Sequence, residues 1–188
     1  MQHRFITIAT LVLASSALFA QPQTQTSASS GYLLPPKEII DILDAQPPPT
    51  VEISPTRDVV ALLDRVSMPS IAELAQPVHR IAGVRINPRT NGPHRAQLAR
   101  AITLKSIADG AEKKVTLPPN PKLSWIGFSA DGKRFAFTQQ RENGIELWIG
   151  EAMTGQARSV TTAQLNAALG APCEWVGNGS SMLCEFVS

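Results

Sequence analysis

The chain has 188 residues, with 17 Lys and Arg against 15 Asp and Glu, for a formal net charge of +2. So even a balance carries no electrostatic footprint for nucleic acid and no pull toward acidic partners. Two cysteines are too few for a disulfide scaffold and lack the spacing of a four-ligand zinc site, while 15 prolines suit short strands and turns over long helices. No metal or cofactor is implied.

Residues 1–20 have the layout of a secretory signal peptide: His3 and Arg4, the apolar run Phe5 to Leu13, then the small-residue stretch Ala14 to Ala17. Cleavage is expected after Ala17 or Ala20. The apolar run is short for a spanning helix, and an uncleaved anchor is the alternative. The mature chain is therefore expected to be exported, periplasmic or extracellular, with no membrane attachment after cleavage. Residues 21–34 begin with a Gln/Thr/Ser/Ala-rich run that has no apolar period, and read as a disordered spacer.

Residues 35–49 read as a short helix followed by a Pro-rich linker. Pro36 sits where a missing N–H costs little, Ile39, Ile40 and Leu43 share one face, and the prolines at 47–49 end it. Val51 to Ser54, a turn over Pro55 to Asp58, and Val59 to Asp64 then predict strand, turn, strand. Ser70-Ile-Ala-Glu73 is a capping box opening a helical turn before Pro77. Arg80 to Ile86, Ile102 to Ile107 and Lys114 to Leu117 are expected to supply further strands.

The best-formed stretch is Leu123 to Thr162. Leu123 to Phe128 is apolar on both faces, Asp131-Gly132 signals a hairpin, and Phe135 and Phe137 alternate on one face. Asn143-Gly144 and Thr154-Gly155 predict the next two turns, with Ile145, Leu147 and Ile149 alternating between them. Ala157 to Thr161 is a short polar edge. Four antiparallel strands in about forty residues make one β-propeller blade. ISPTRDVVALL lies over FSADGKRFAF with the turn at the same place, which is the internal repeat a propeller predicts. Thr161-Thr-Ala-Gln164 is a second capping box, predicting a helical turn over Leu165 to Leu169. Asn178-Gly179 is a hairpin signal, and a two-residue loop there sets Cys173 opposite Cys184 and Trp175 opposite Met182. In an oxidising compartment Cys173 and Cys184 are expected to pair; the alternative is two small buried hydrophobes.

The fold class expected is thus mainly β: a partial propeller of about two and a half blades over residues 50–188, with short N-terminal and connecting helices. Blade one spans 50–118 and is swollen by insertions, blade two spans 122–161, and 171–188 begin a third.

Catalytic patterns are missing from the sequence: it has no G-x-S-x-G elbow, P-loop, Rossmann glycine pattern or HExxH. Gly177-Asn-Gly-Ser-Ser181, sequon included, reads as the hairpin turn. His79 and His94 stand in turn- and Pro-rich surroundings and read as structural or solvated. Arg85, Arg89, His94 and Arg95 belong to a basic segment that either contacts an anion or acidic peptide or forms a solvated loop.

Pro35 to Ala45, Leu63-Asp-Arg65, Ser70 to Ala75 and above all Gly83-Val-Arg-Ile-Asn-Pro-Arg-Thr-Asn-Gly-Pro-His-Arg95 resemble the start of exported serine peptidases of the prolyl oligopeptidase family, nearest its glutamyl-endopeptidase-like branch. The resemblance covers nearly all the mature chain. It implies an N-terminal propeller that limits access of peptides to a C-terminal α/β-hydrolase domain carrying a Ser-Asp-His triad. No position here matches a triad residue, so the resemblance implies a truncated peptidase or a piece of one, inactive alone, with peptide substrates only in a full-length context. A different class of function is a small secreted binding module that completes its propeller by self-association through open strand edges or with a partner chain.

Overall fold

The computed structural model describes residues 34–162, 164–177 and 179–188. The expected signal peptide, nearly all of the expected spacer, Ala163 of the second capping box and Asn178 of the sequon lie outside the described residues. The chain divides into two units at Leu43/Asp44. In the first, α1 (Lys37–Leu43) starts one residue after Pro36, whose carbonyl accepts from the Ile39 and Ile40 N–H groups. None of its residues is buried, and Lys37 pairs with Asp41 one turn on.

The second unit is mainly β and is built on a repeated four-stranded antiparallel meander. The first meander contains β1 (Thr50–Ile53), β2 (Val59–Arg65), β6 (Ala99–Ser106) and β7 (Glu112–Lys114). The second contains β8 (Leu123–Phe128), β9 (Arg134–Arg141), β10 (Gly144–Glu151) and β11 (Ala157–Ser159). One residue pair, Ala99 with Leu123, joins the two meanders into a continuous sheet. A hairpin, β12 (Cys173–Val176) and β13 (Ser181–Cys184), follows, with Cys173 opposite Cys184 and Trp175 opposite Met182.

The repeat in the sequence is a repeat in hydrogen bonding. In the β1–β2 turn the Ser54 N–H donates to the Val59 carbonyl (2.9 Å), Arg57 N–H to Ser54 O (2.9 Å) and Val59 N–H to Ser54 Oγ (3.2 Å). In the β8–β9 turn Ser129 N–H donates to Arg134 O (2.8 Å), Gly132 N–H to Ser129 O (2.9 Å) and Arg134 N–H to Ser129 Oγ (3.0 Å). The fourth residue of each turn is left-handed, Arg57 at φ 58° and Gly132 at φ 68°. The β12–β13 turn keeps part of the pattern: Gly179, at φ 82°, donates to Val176 O. The β6–β7 and β10–β11 turns match in the same way, with Gly110 donating to Ser106 O and Gly155 to Glu151 O.

These equivalences locate the insertion. Residues 66–98 stand where the second meander has only the turn Glu142–Asn143. The insertion holds α2 (Ile71–Leu74) and a separate small sheet of β3 (His79–Ile81), β4 (Val84–Asn87) and β5 (Gly92–Pro93). Arg80 to Ile86 is therefore not a strand of the first meander, because β6 occupies the open side of β2 from Val59 to Arg65. The capping box at Ser70 forms, its Oγ accepting from the Glu73 N–H at 3.2 Å.

Three other expectations shift. The second hairpin turns on Glu142–Asn143, neither of them left-handed, so Gly144 is already paired with Arg141. β7 ends at Lys114, although Val115 N–H still reaches Ile102 O. No helical turn forms over Leu165 to Leu169. Thr161 Oγ1, which would have capped it, accepts from Leu147 N–H at 2.9 Å, and Leu165 bridges to Phe186.

Two apolar layers hold the unit together. In the first, Ala61, Leu63, Ile102 and Leu104 of the first meander meet Leu123, Phe135 and Phe137 of the second. In the next, Ala136, Ile145 and Leu147, from the opposite face of the second meander, meet Cys173, Trp175 and Met182 of the hairpin, with Leu165 between. The turns approach in the same succession. Gly132 faces Thr56 of the preceding turn, and Gly179 faces Ser129, each so closely that a Cβ would clash. Each unit thus offers one face backward and one forward.

Candidate functional site

The insertion borders a cleft of about 430 Å³ between α2, the β4–β5 turn and the C-terminal end of β9. That volume is within the roughly 300–1,000 Å³ usual for ligand clefts, and most of the residues around it carry polar side chains. Glu73 and Arg89 line it from the insertion, Lys122 from the approach to β8, and Gln140, Arg141 and Glu142 from the end of β9.

Its floor is held by buried amides. Asn87, 4% exposed, accepts the Arg89 N–H on Oδ1 (3.0 Å), and its carbonyl accepts from Asn91 (2.9 Å). These bonds shape the turn that carries Arg89. Gln139, 1% exposed, accepts the Lys122 N–H (3.1 Å) and donates to the Gln140 carbonyl (3.0 Å). Thr90 Oγ1 is buried at the same site without a hydrogen-bond partner. On one flank Arg141 pairs with Glu146 at 2.9 Å. Burial pushes the Glu146 carboxyl up, but Arg141 and the Trp148 indole N–H outweigh it and hold the group below its ordinary value.

The four basic residues singled out in the sequence do not form one patch. Arg89 lines this cleft and Arg95 lines a second one of about 200 Å³ beside Pro69 and Leu98. Arg85 is exposed on β4. His94 is half-buried and acts as a tether: its backbone N–H donates to Arg85 O (2.9 Å) and its Nε2 to Gln76 O (3.2 Å), past the end of α2. That bond fixes the proton on Nε2, since a carbonyl only accepts. His79 is exposed on β3. Cys173 and Cys184 are joined by a disulfide. Among the described residues no group of three or more His, Cys, Asp or Glu is arranged to hold a metal ion.

Glu73, Lys122 and Gln139 to Glu142, which also line the cleft, are not among the site residues expected from the sequence. One signal is present: the polar run Gln139 to Glu142 follows the apolar Phe135 to Phe137 at the end of β9. Chemically the cleft offers hydrogen-bonding amides and both signs of charge, which suits binding an extended polar chain. Among the described residues it aligns no nucleophile with a base.

A mainly β chain of stacked meanders with a polar cleft is the class that fold and site define. No family model matches the sequence. The chain is 33% identical over 175 residues to a protein of Oryza sativa subsp. japonica named probable glutamyl endopeptidase, chloroplastic, covering 86% of this chain and 19% of that protein. It is also 33% identical over 187 residues to an Arabidopsis thaliana protein of the same name, covering 93% of this chain and 19% of that one. The chain is therefore related in sequence to proteins named as peptidases, and spans about a fifth of the length of these curated relatives.

Proposed function

We propose that this chain is the substrate-gating, propeller-forming segment of an exported serine peptidase acting on peptides, and that alone it does not hydrolyse them. The observation that carries this reading is the repeat of one four-stranded meander, with equivalent turns packed against each other, in a chain related to glutamyl endopeptidases. Radial repetition of such units is how a propeller is built. A ring of them over an active site admits extended peptides and excludes folded proteins. The disulfide supports an oxidising compartment, and so export.

Inactivity alone is supported by the sequence, which has no G-x-S-x-G elbow. Both cysteines are in the disulfide, and His94 Nε2 donates to a backbone carbonyl. Arg89, Lys122 and Arg141 line the larger cleft and are the basic residues placed to touch a passing peptide. The purified chain, treated with a fluorophosphonate probe of reactive serines and with fluorogenic glutamyl peptides, is expected to take no label and release no product. Labelling abolished by a single serine substitution would contradict the proposal.

A further inference from the structure

We propose that the polar cleft beside the insertion binds a small zwitterion, a short peptide or free amino acid held by its two charged ends. This rests on the reading of that cleft as a peptide contact, and adds that it recognises the termini. Four charged side chains line it from four places: Glu73 on α2, Arg89 on the β4–β5 turn, Lys122 before β8 and Glu142 on the β9–β10 turn. None of the four pairs with another, and none has an ion-pair partner elsewhere among the described residues. Arg141, which also lines the cleft, is taken by Glu146. Two cations and two carboxylates thus border one cavity without neutralising each other. A simple anion would satisfy only the cations, and a simple cation only the carboxylates. A zwitterion satisfies both.

The backbone under both cations is fixed. Asn87 Oδ1 holds the Arg89 N–H, and Lys122 is clamped through both its peptide groups. Its N–H donates to the buried Gln139 side chain at 3.1 Å, and its carbonyl accepts from Gln140 N–H at 2.8 Å. Spare neutral donors stand beside Arg89. Asn87 lines the cleft and is buried, yet among the described residues its Nδ2 donates to no group. Thr90 also lines it, 2% exposed, and its Oγ1 has no hydrogen-bond partner. Buried polar groups in native proteins are nearly always paired, so two spare ones in one wall point to a ligand oxygen at that wall. A carboxylate is acceptor-only, with about four lone-pair sites, and matches that set of donors. An ammonium group only donates, and Glu73 and Glu142 are its acceptors. All of these residues lie within 70–142, so the walls come from one continuous stretch of chain.

The test titrates the full chain with triglycine, N-acetyl-triglycine, triglycine amide and glycine, with binding read by isothermal calorimetry. Triglycine has no side chains and reports on the termini alone; it is expected to bind saturably. Capping either end, which removes one charge-assisted contact, should weaken binding by about tenfold or more. Arg89→Met with Lys122→Met, and separately Glu73→Gln with Glu142→Gln, should weaken triglycine binding while leaving the melting temperature unchanged. The capped peptides test the wild type directly, whatever the variants do. Tighter binding of triglycine than of glycine assigns the site to peptides and equal binding assigns it to free amino acids; either result supports the zwitterion. The proposal is overturned if triglycine does not bind saturably, if the capped peptides bind as well as triglycine, or if either folded double variant binds it as well as the wild type. The readout is binding and not hydrolysis, so its failure and the failure of the peptidase reading are separate results.

Discussion

Each of the first two meanders turns on one serine hydroxyl. Ser129 Oγ lies 2.7 Å from Asp131 Oδ1 and accepts the Arg134 N–H at 3.0 Å; Ser54 Oγ lies 2.6 Å from Asp58 Oδ1 and accepts the Val59 N–H. The carboxylate comes from a different turn position in the two cases, yet reaches the same hydroxyl. Ser129 is 0% exposed, so Ser129→Ala strands the Arg134 N–H without water to replace its partner. The expected cost is about 1–3 kcal/mol, read as a lower urea midpoint; an unchanged midpoint would show the turn to be held by its backbone alone. Gly150 is similarly committed. It pairs with Phe135, and a Cβ there would stand 2.3 Å from the Phe135 ring. That ring is in turn fixed between Phe128 and Phe137, each at a centroid distance of 6.0 Å. Gly150→Ala is expected to destabilise by about 1–3 kcal/mol through overpacking, and Phe135→Leu in the same chain to recover part of the loss.

At the scale of elements, the turns of the two meanders are expected to make stability depend on pH at the acid end. The Ser54 hydroxyl, then Thr56, lowers the Asp58 carboxyl below its ordinary 3.8, and the Ser129 hydroxyl, then the Lys133 N–H, lowers Asp131 likewise. Carboxyls lowered in the folded state stabilise it above their unfolded value and stop doing so as pH falls through the folded one. Melting temperature should therefore hold down to about pH 4 and fall below it, as expected for carboxylates of ordinary unfolded pKa. The double variant Asp58→Asn, Asp131→Asn should flatten that fall, and an unaltered pH profile would remove these turns from the account. The hairpin β12–β13 depends on its cross-link, which closes a loop with a sequence separation of 11. Replacing both cysteines by Ala is expected to cost about 2–3 kcal/mol on chain-entropy grounds, seen in a thermal melt. A melt identical to the parent's would mean that the Trp175 indole bond to Gly127 O and the packing under it suffice.

In the molecule as a whole, local signals carried far. The alternation of Phe135 and Phe137, the glycines at 132 and 155, and the hairpin arithmetic that sets Cys173 opposite Cys184 were legible because strand period and turn chemistry are short-range. The partners of His79–Ile81 and Val84–Asn87 were not, because a short strand looks the same whichever strand it joins. Thr161 misled for a related reason: its hydroxyl can cap a helix or bond a distant strand, and Leu147, fourteen residues earlier, took it. The cleft was the least legible feature. It is assembled from Glu73, Arg89, Lys122 and Arg141, which only the insertion's folding onto β9 brings together. The proposed gating role therefore rests on the repeated meander and on the relation to proteins named as peptidases. The most direct measurement is to precipitate the native protein from source cells with an antibody against residues 123–162 and expose it to a fluorophosphonate probe. The account predicts a probe-labelled serine on the same polypeptide that carries the antigen; an antigen-bearing polypeptide that never takes the label would contradict it.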